Sequence, residues 1–343
     1  MGAWFALNSR RGNDMTNSTR MAWILAAALA LLSIPAGCSS DGGEAQTDGD
    51  EMTDGDEEAE IDEDALPACW TDLAEGEKIA LADGLSGTEG ITFDGKGKLY
   101  AASATMLMEI SPDGIQRDVA PFSKAVGIAA AEDGSILVCD FGPSDEVDVR
   151  DGVLWRVSPE GDAQALSEGA IANANFPVRT PWGSWLVSDD FAPEIWEITD
   201  DGEATLWTNE IPSPNGMVFS ADGKTLYVAN TFDQDSRVFA VSVVDGEAAG
   251  VEEFTRLDPG SVNDGMAMDE DGNLYVAANI KGQIVRVALD GSYETLVGGM
   301  TTPASLAFGE GEGFDPCSLY VTELAGAKIW RVAVGVRGAR LYR

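Results

Sequence analysis

The sequence predicts an all-β protein, a six-bladed β-propeller whose last blade is closed by an N-terminal strand. Three observations carry this prediction. A hairpin motif recurs: EGITFDGKGKLYAAS from Glu89, VGIAAAEDGSILVCD from Val126, NFPVRTPWGSWLVSD from Asn175, NGMVFSADGKTLYVAN from Asn215 and DGMAMDEDGNLYVAAN from Asp264. Each copy reaches its turn glycine eight residues after its first residue, the entrance residue. A sixth copy, ASLAFGEGEGFDPCSLYVTE from Ala304, carries a longer turn. Entrance residues follow one another at intervals of 37, 49, 40, 49 and 40, near the length of one propeller blade. Finally, each hairpin but the sixth is followed by two more short apolar runs with a turn between them, as in GQIVRVAL, Asp290-Gly291 and YETLVGG. Such runs of Val, Ile, Leu and Tyr form antiparallel four-stranded sheets, and a ring of these leaves only short, protected edges.

Taken in order, residues 1–38 read as an export segment. The run 22–37 is apolar and uncharged, too short to span a bilayer comfortably, and follows Arg10, Arg11 and Arg20. Ala36-Gly37-Cys38 resembles a lipoprotein cleavage box with Cys38 lipidated; plain secretion to the periplasm or beyond is the alternative, and Met15 is a possible start. Residues 39–67 are an acidic linker with no basic residue, unable to bury enough apolar surface to fold alone. Residues 68–343 hold the propeller. Overall, 21 Lys and Arg stand against 59 Asp and Glu, a net charge of -38 that excludes nucleic acid as a partner. Contact with a membrane is expected only through the lipid anchor.

The sixth blade lacks an outer strand after AKIWRVAV, and 78–82 (KIALA) is the run available to complete it. Of four cysteines, Cys38 goes to the lipid and Cys139 sits inside an apolar strand. Cys69 and Cys317 remain, both below the sixth blade, and an oxidising compartment lets them pair. Tight turns join strands one and two, and three and four, so the entrance residues and the longer loops share the opposite face. Loops on a rigid scaffold are where function usually sits.

The entrance residues Glu89, Val126, Asn175, Asn215, Asp264 and Ala304 converge at the mouth of the axial tunnel. Singly, Asn or Asp at such a place satisfies local backbone. Together, two carboxylates and two amides with no Lys or Arg among them form a hard-oxygen set suited to Ca²⁺, with another divalent cation as the alternative. The chain has no histidine, and no thiol is on offer there, which disfavours zinc. Asp140, Asp189, Asp190 and Glu323 follow second strands and face the same mouth. Trp182, Trp185 and Trp196 are expected to pack between blades.

TEGITFDGKGKLY, SPNGMVFSADGKTLYVANT and NDGMAMDEDGNLYVAAN resemble the six-bladed senescence marker protein (regucalcin)/gluconolactonase group. The resemblance implies Glu89, Asn215 and Asp264 as metal ligands, and Asn175 as a ligand for metal or substrate. It implies a calcium-dependent hydrolase of a lactone or related ester, with Asp264 as base or nucleophile and Asn173, Asn175 and Asp190 toward the substrate. Members often carry Arg-x-Asn-Asp where this chain has Asn173-Ala174-Asn175-Phe176, so sugar-acid specificity does not follow. A paraoxonase-like histidine pair is excluded. The alternatives are a non-catalytic exported propeller that binds a ligand around a structural calcium, and a phosphotriesterase-like hydrolase.

Overall fold

A computed structural model describes residues 68–343 apart from Ser86 and Asp145. The export segment, Cys38 and the acidic linker lie outside the described residues. Six four-stranded antiparallel sheets stand around an axis. Their innermost strands are Thr88–Phe93, Ala125–Ala130, Ala174–Arg179, Pro214–Phe219, Asn263–Met268 and Pro303–Phe308, which number the blades 1 to 6. In blade 6 the order from the outside inward is Lys78–Asp83, Lys328–Ala333, Ser318–Glu323, Pro303–Phe308. The first described strand thus pairs with the last, Lys78 opposite Val332 and Asp83 opposite Lys328. Cys69 and Cys317, 248 residues apart, form a disulfide beside that closure.

The hairpin turns are built as their sequences require. Gly97, Gly134, Gly183, Gly223 and Gly272 all have φ between 69° and 98°, the left-handed region that only glycine enters without strain. Inner strands are buried on both faces, as in Pro214–Phe219, whereas outer strands such as Tyr293–Val297 are largely exposed. Among the described residues the apolar core falls into six clusters, one between each pair of neighbouring blades. Leu137 and Cys139 of blade 2 pack on Trp185 and Val187 of blade 3, while Ile136 and Val138, on the other face of the same strand, pack on Tyr100 and Leu107 of blade 1. The two-residue period of the strand therefore glues each blade to both neighbours. Trp185 is fully buried in that way; Trp196 lies under the Arg150 guanidinium, and Trp182 is partly exposed with its indole N–H on Glu197.

Near the axis the inner strands touch backbone to backbone. A Cβ on Gly90 would lie 2.3 Å from the Val126 carbonyl oxygen, one on Gly127 2.3 Å from that of Asn175, and one on Gly216 2.5 Å from that of Asp264. Where blades 3 and 6 lack this glycine, a hydroxyl makes the junction: Ser188 Oγ donates to the Asn215 carbonyl at 3.0 Å, and Thr322 Oγ1 to that of Glu89. Each of these junctions is made at an entrance residue.

Two stability predictions follow from this frame. Gly216→Ala should lower the unfolding free energy by about 1–3 kcal/mol through overpacking, read by denaturant melts. An unchanged midpoint would refute the close-approach argument. Replacing Cys69 and Cys317 by serine should cost about 2–5 kcal/mol in the same assay.

Candidate functional site

Each entrance residue is the second residue of its inner strand. Pairing starts one residue ahead of it and then slips. In every blade the register shifts across the entrance residue, between Thr88 and Ile91, Ala125 and Ile128, Ala174 and Pro177, Pro214 and Met217, Asn263 and Met266, and Pro303 and Leu306. A bulge of this kind frees a residue from the ladder and re-aims its side chain. Six such bulges turn six side chains toward one mouth.

Glu89 accepts a hydrogen bond from the Asn175 side chain. Asn215 Nδ2 donates to Asp190 Oδ1 at 3.4 Å, and Thr231 also bonds Asp190. Asn279, which no sequence argument singled out, donates through Nδ2 to Asp264 Oδ2 at 3.0 Å. Its place after the second strand of blade 5 is the place Asp190 holds in blade 3, and that equivalence was the available signal. Asp264, Asp190, Asn175, Asn215 and Asn279 are buried, and Glu89 is half-buried.

The other second-strand acids face the loops. Asp140 accepts the backbone N–H groups of Ser123, Lys124 and Gly142. Asp189 accepts those of Ala172, Asn173, Phe191 and Ala192, and Glu323 that of Thr301. Asn173 donates its amide to the Val147 carbonyl at 2.8 Å, which ties it to the 141–151 loop. Asp189 is the last residue of its strand, whereas Asp190 lies just beyond it and bonds Asn215 and Thr231 instead.

Three carboxylates so placed repel one another. Burial pushes Glu89 up to about 7, offset in part by the Asn175 hydrogen bond. Burial, then the charges of Glu89 and Asp190, hold Asp264 well above the usual carboxylate range. Asp190 is raised by burial and then by Glu89 and Asp189. Among the described residues no three His, Cys, Asp or Glu side chains form a ready metal group, so an ion here would need the mixed carboxylate and amide set. That set fits one. The Oδ1 atoms of Asn175 and Asn215 are buried and accept no hydrogen bond, as an amide oxygen reserved for a cation would be. The amide oxygens of Asn230 and Asn263 are also unpartnered, but their Nδ2 groups donate to the Ser213 and Arg237 backbone carbonyls rather than to a carboxylate of the mouth.

A raised carboxylate pKa means that the folded state holds the proton more tightly than the unfolded chain. Its stabilising contribution is present below the unfolded value and lost as pH rises through about 7 for Glu89. With divalent cations chelated, the melting temperature should fall from about pH 5 to about pH 8, and Glu89→Gln should flatten that slope. A slope unaltered in Glu89→Gln would contradict the proposed repulsion.

The model of the SMP-30/Gluconolactonase/LRE-like region matches residues 87–325. A gluconolactonase from Xanthomonas campestris superposes with a TM-score of 0.63 at 18% identity, over 75% of this chain and 89% of that one. Regucalcin from Agrobacterium tumefaciens, a calcium-binding protein, superposes with a TM-score of 0.61 at 22% identity, over 77% and 96%. A luciferin-regenerating enzyme gives 0.62 at 18%, over 78% and 99%. Comparison with curated proteins yields no match. At these identities the structural likeness speaks for the fold, and the family match spans every entrance residue. The chain belongs to the SMP-30/gluconolactonase/LRE-like family of six-bladed β-propellers.

Proposed function

We propose that this protein is a divalent-cation-dependent hydrolase, with calcium the expected ion, that opens a lactone or related ester. One observation carries the reading: Glu89, Asp190 and Asp264 meet at the tunnel mouth beside the unpartnered oxygens of Asn175 and Asn215. Uncompensated carboxylates of this kind are costly to bury unless a cation joins them. Family membership and a gluconolactonase among the solved relatives support the reaction class.

Glu89, Asn175, Asn215 and Asp264 would hold the ion, which when bound polarises a carbonyl oxygen. Asp264 is oriented through Oδ2 by Asn279. It either attacks the carbonyl carbon, expelling the ring oxygen as an alkoxide and leaving a mixed anhydride that water then hydrolyses, or takes a proton from water that attacks the carbon directly. In the second case the new C–O bond forms from water, the ring C–O bond breaks, and the proton passes to the departing alkoxide. Asp190, held by Asn215 and Thr231, would accept a hydrogen bond from a substrate hydroxyl. Ile91, Met217, Met266 and Leu306 stand one step further down the inner strands and make the floor apolar, which strengthens every charge interaction above it. The Cys69–Cys317 disulfide supports export to an oxidising compartment, with Cys38 as the proposed lipid anchor.

Calorimetric titration of Ca²⁺ into chelator-treated protein should show one specific site that is lost in Asp264→Ala. Aldonolactones and simpler lactones should be hydrolysed, with kcat reduced about 10²-fold or more in Asp264→Ala. Asn279→Ala should give a smaller loss in kcat at little change in KM. Absence of Ca²⁺ binding sinks the metal-dependent reading. Binding without turnover of any lactone, ester or phosphotriester would leave a ligand-binding propeller.

A further inference from the structure

Strand register makes the second strands of the blades comparable residue by residue. In blades 2 to 5 the residue ahead of the entrance residue pairs with Asp140, Asp189, Asn230 and Ala278. The next residue in blades 3, 4 and 5 is Asp190, Thr231 and Asn279. All three are held at the mouth, Asp190 by Asn215 and Thr231, and Asn279 on Asp264. The same position in blade 2 is Phe141. The entrance residue of that blade is Val126, and the two belong to one apolar cluster. Blade 2 thus brings carbon to both places where blade 3 brings Asn175 and Asp190.

One residue further on, blades 3 and 4 carry Phe191 and Phe232. The Phe191 ring stacks on Phe232 with centroids 5.2 Å apart and 20° between planes, and it meets Phe141 edge to face at 6.1 Å. Three mouth loops are therefore joined by one row of rings. Val126 and Phe141 are its buried base, whereas Phe191 and Phe232 are half-buried and keep part of each ring open. The open rings are tied to the site through their main chains. The Phe191 N–H donates to Asp189 Oδ1 at 3.1 Å. Ser213 Oγ donates to the Asp190 carbonyl at 2.6 Å and accepts the Phe232 N–H at 3.1 Å. Aromatic rings held in this way beside a polar site offer a large, rigid contact area at little entropic cost.

We propose that Val126, Phe141, Phe191 and Phe232 form an apolar wall at the mouth that takes an alkyl substituent of the substrate, which makes alkyl lactones the preferred class over polyhydroxylated sugar lactones. A hydroxylated ring turned to this side sets its hydroxyls against ring carbon, where they lose water and gain no partner. An alkyl chain laid there gains burial without that cost. The assignment rests on the hydrolase reading above and adds the substrate class to it.

The test joins binding to turnover, on the full chain with Ca²⁺. Calorimetry with γ-butyrolactam and its γ-propyl and γ-pentyl derivatives, which resist hydrolysis, should show affinity rising by up to about fourfold for each added methylene. For γ-butyrolactone, γ-heptalactone and γ-nonalactone, kcat/KM should rise in parallel and pass that of glucono-δ-lactone. Phe232→Ala should cut the nonalactone-to-butyrolactone ratio about tenfold, and Phe232→Leu, which keeps an apolar side chain, should retain most of it. A flat lactam series in the unaltered protein, or no lactam binding, overturns the wall whatever the variants do. So does a preference for glucono-δ-lactone, or a ratio undiminished in folded Phe232→Ala; either outcome leaves the hydrolase reading standing. If no lactone is turned over, the hydrolase reading fails by itself. The lactam series and its response to Phe232→Ala then still decide for or against the wall.

Discussion

The close approach of the inner strands is the constraint on which the remainder of this molecule depends. Main-chain atoms of neighbouring blades come within contact distance at Gly90, Gly127 and Gly216, and a methyl group at any of these positions would collide with the next strand. The same residues follow Glu89, Val126 and Asn215, so these close approaches fix the entrance residues in place. A bulge in each blade then removes the entrance residue from the ladder and frees its side chain for the axis. Sterics, not charge, bring the carboxylates together. Their mutual repulsion is imposed by the ring and sustained by the apolar clusters between blades.

That imposed repulsion gives the site its chemical character. An acid held above its usual range by burial and like charge is an unstable arrangement that a divalent cation relieves. Amide side chains do the local orienting: Asn175 on Glu89, Asn215 on Asp190, Asn279 on Asp264. Because an amide donates through nitrogen, each of these bonds turns the amide oxygen away from its carboxylate partner. For Asn175 and Asn215 that oxygen is left without a hydrogen bond. Asp140 and Asp189, the last residues of their second strands, spend their lone pairs on backbone N–H groups and hold the mouth loops in shape. In blade 3 the adjacent acids Asp189 and Asp190 thus serve as framework and as site.

The tunnel is divided in a related way. Polar entrance residues form one ring, and the residues two positions later form an apolar ring below it, since both face the axis. Farther down, the C-terminal segment crosses the turn face, where arginines and carboxylates stand side by side and pair, Arg343 with Glu310 and Arg179 with Asp200.

Much of this was legible in the primary structure. The eight-residue spacing from entrance residue to turn glycine, repeated around the chain, fixes blade number, strand order and the face on which Glu89, Asn175, Asn215 and Asp264 emerge. Periodicity suffices for that, because the strand period and the turn glycines are local properties of the backbone. What periodicity could not supply was the outcome of contacts between distant residues. Asn279 and Asp264 are fifteen positions apart, and their hydrogen bond depends on how one hairpin closes. The separation of Asp190 from Asp189, the capture of Asn173 by the Val147 carbonyl, and the seat of the C-terminal arginines beneath the tunnel depend on packing between blades. Local sequence determined the repeating strands and their polarity. Tertiary structure alone decided which acids were left unsatisfied, because hydrogen bonding and burial are set by neighbours from other parts of the chain.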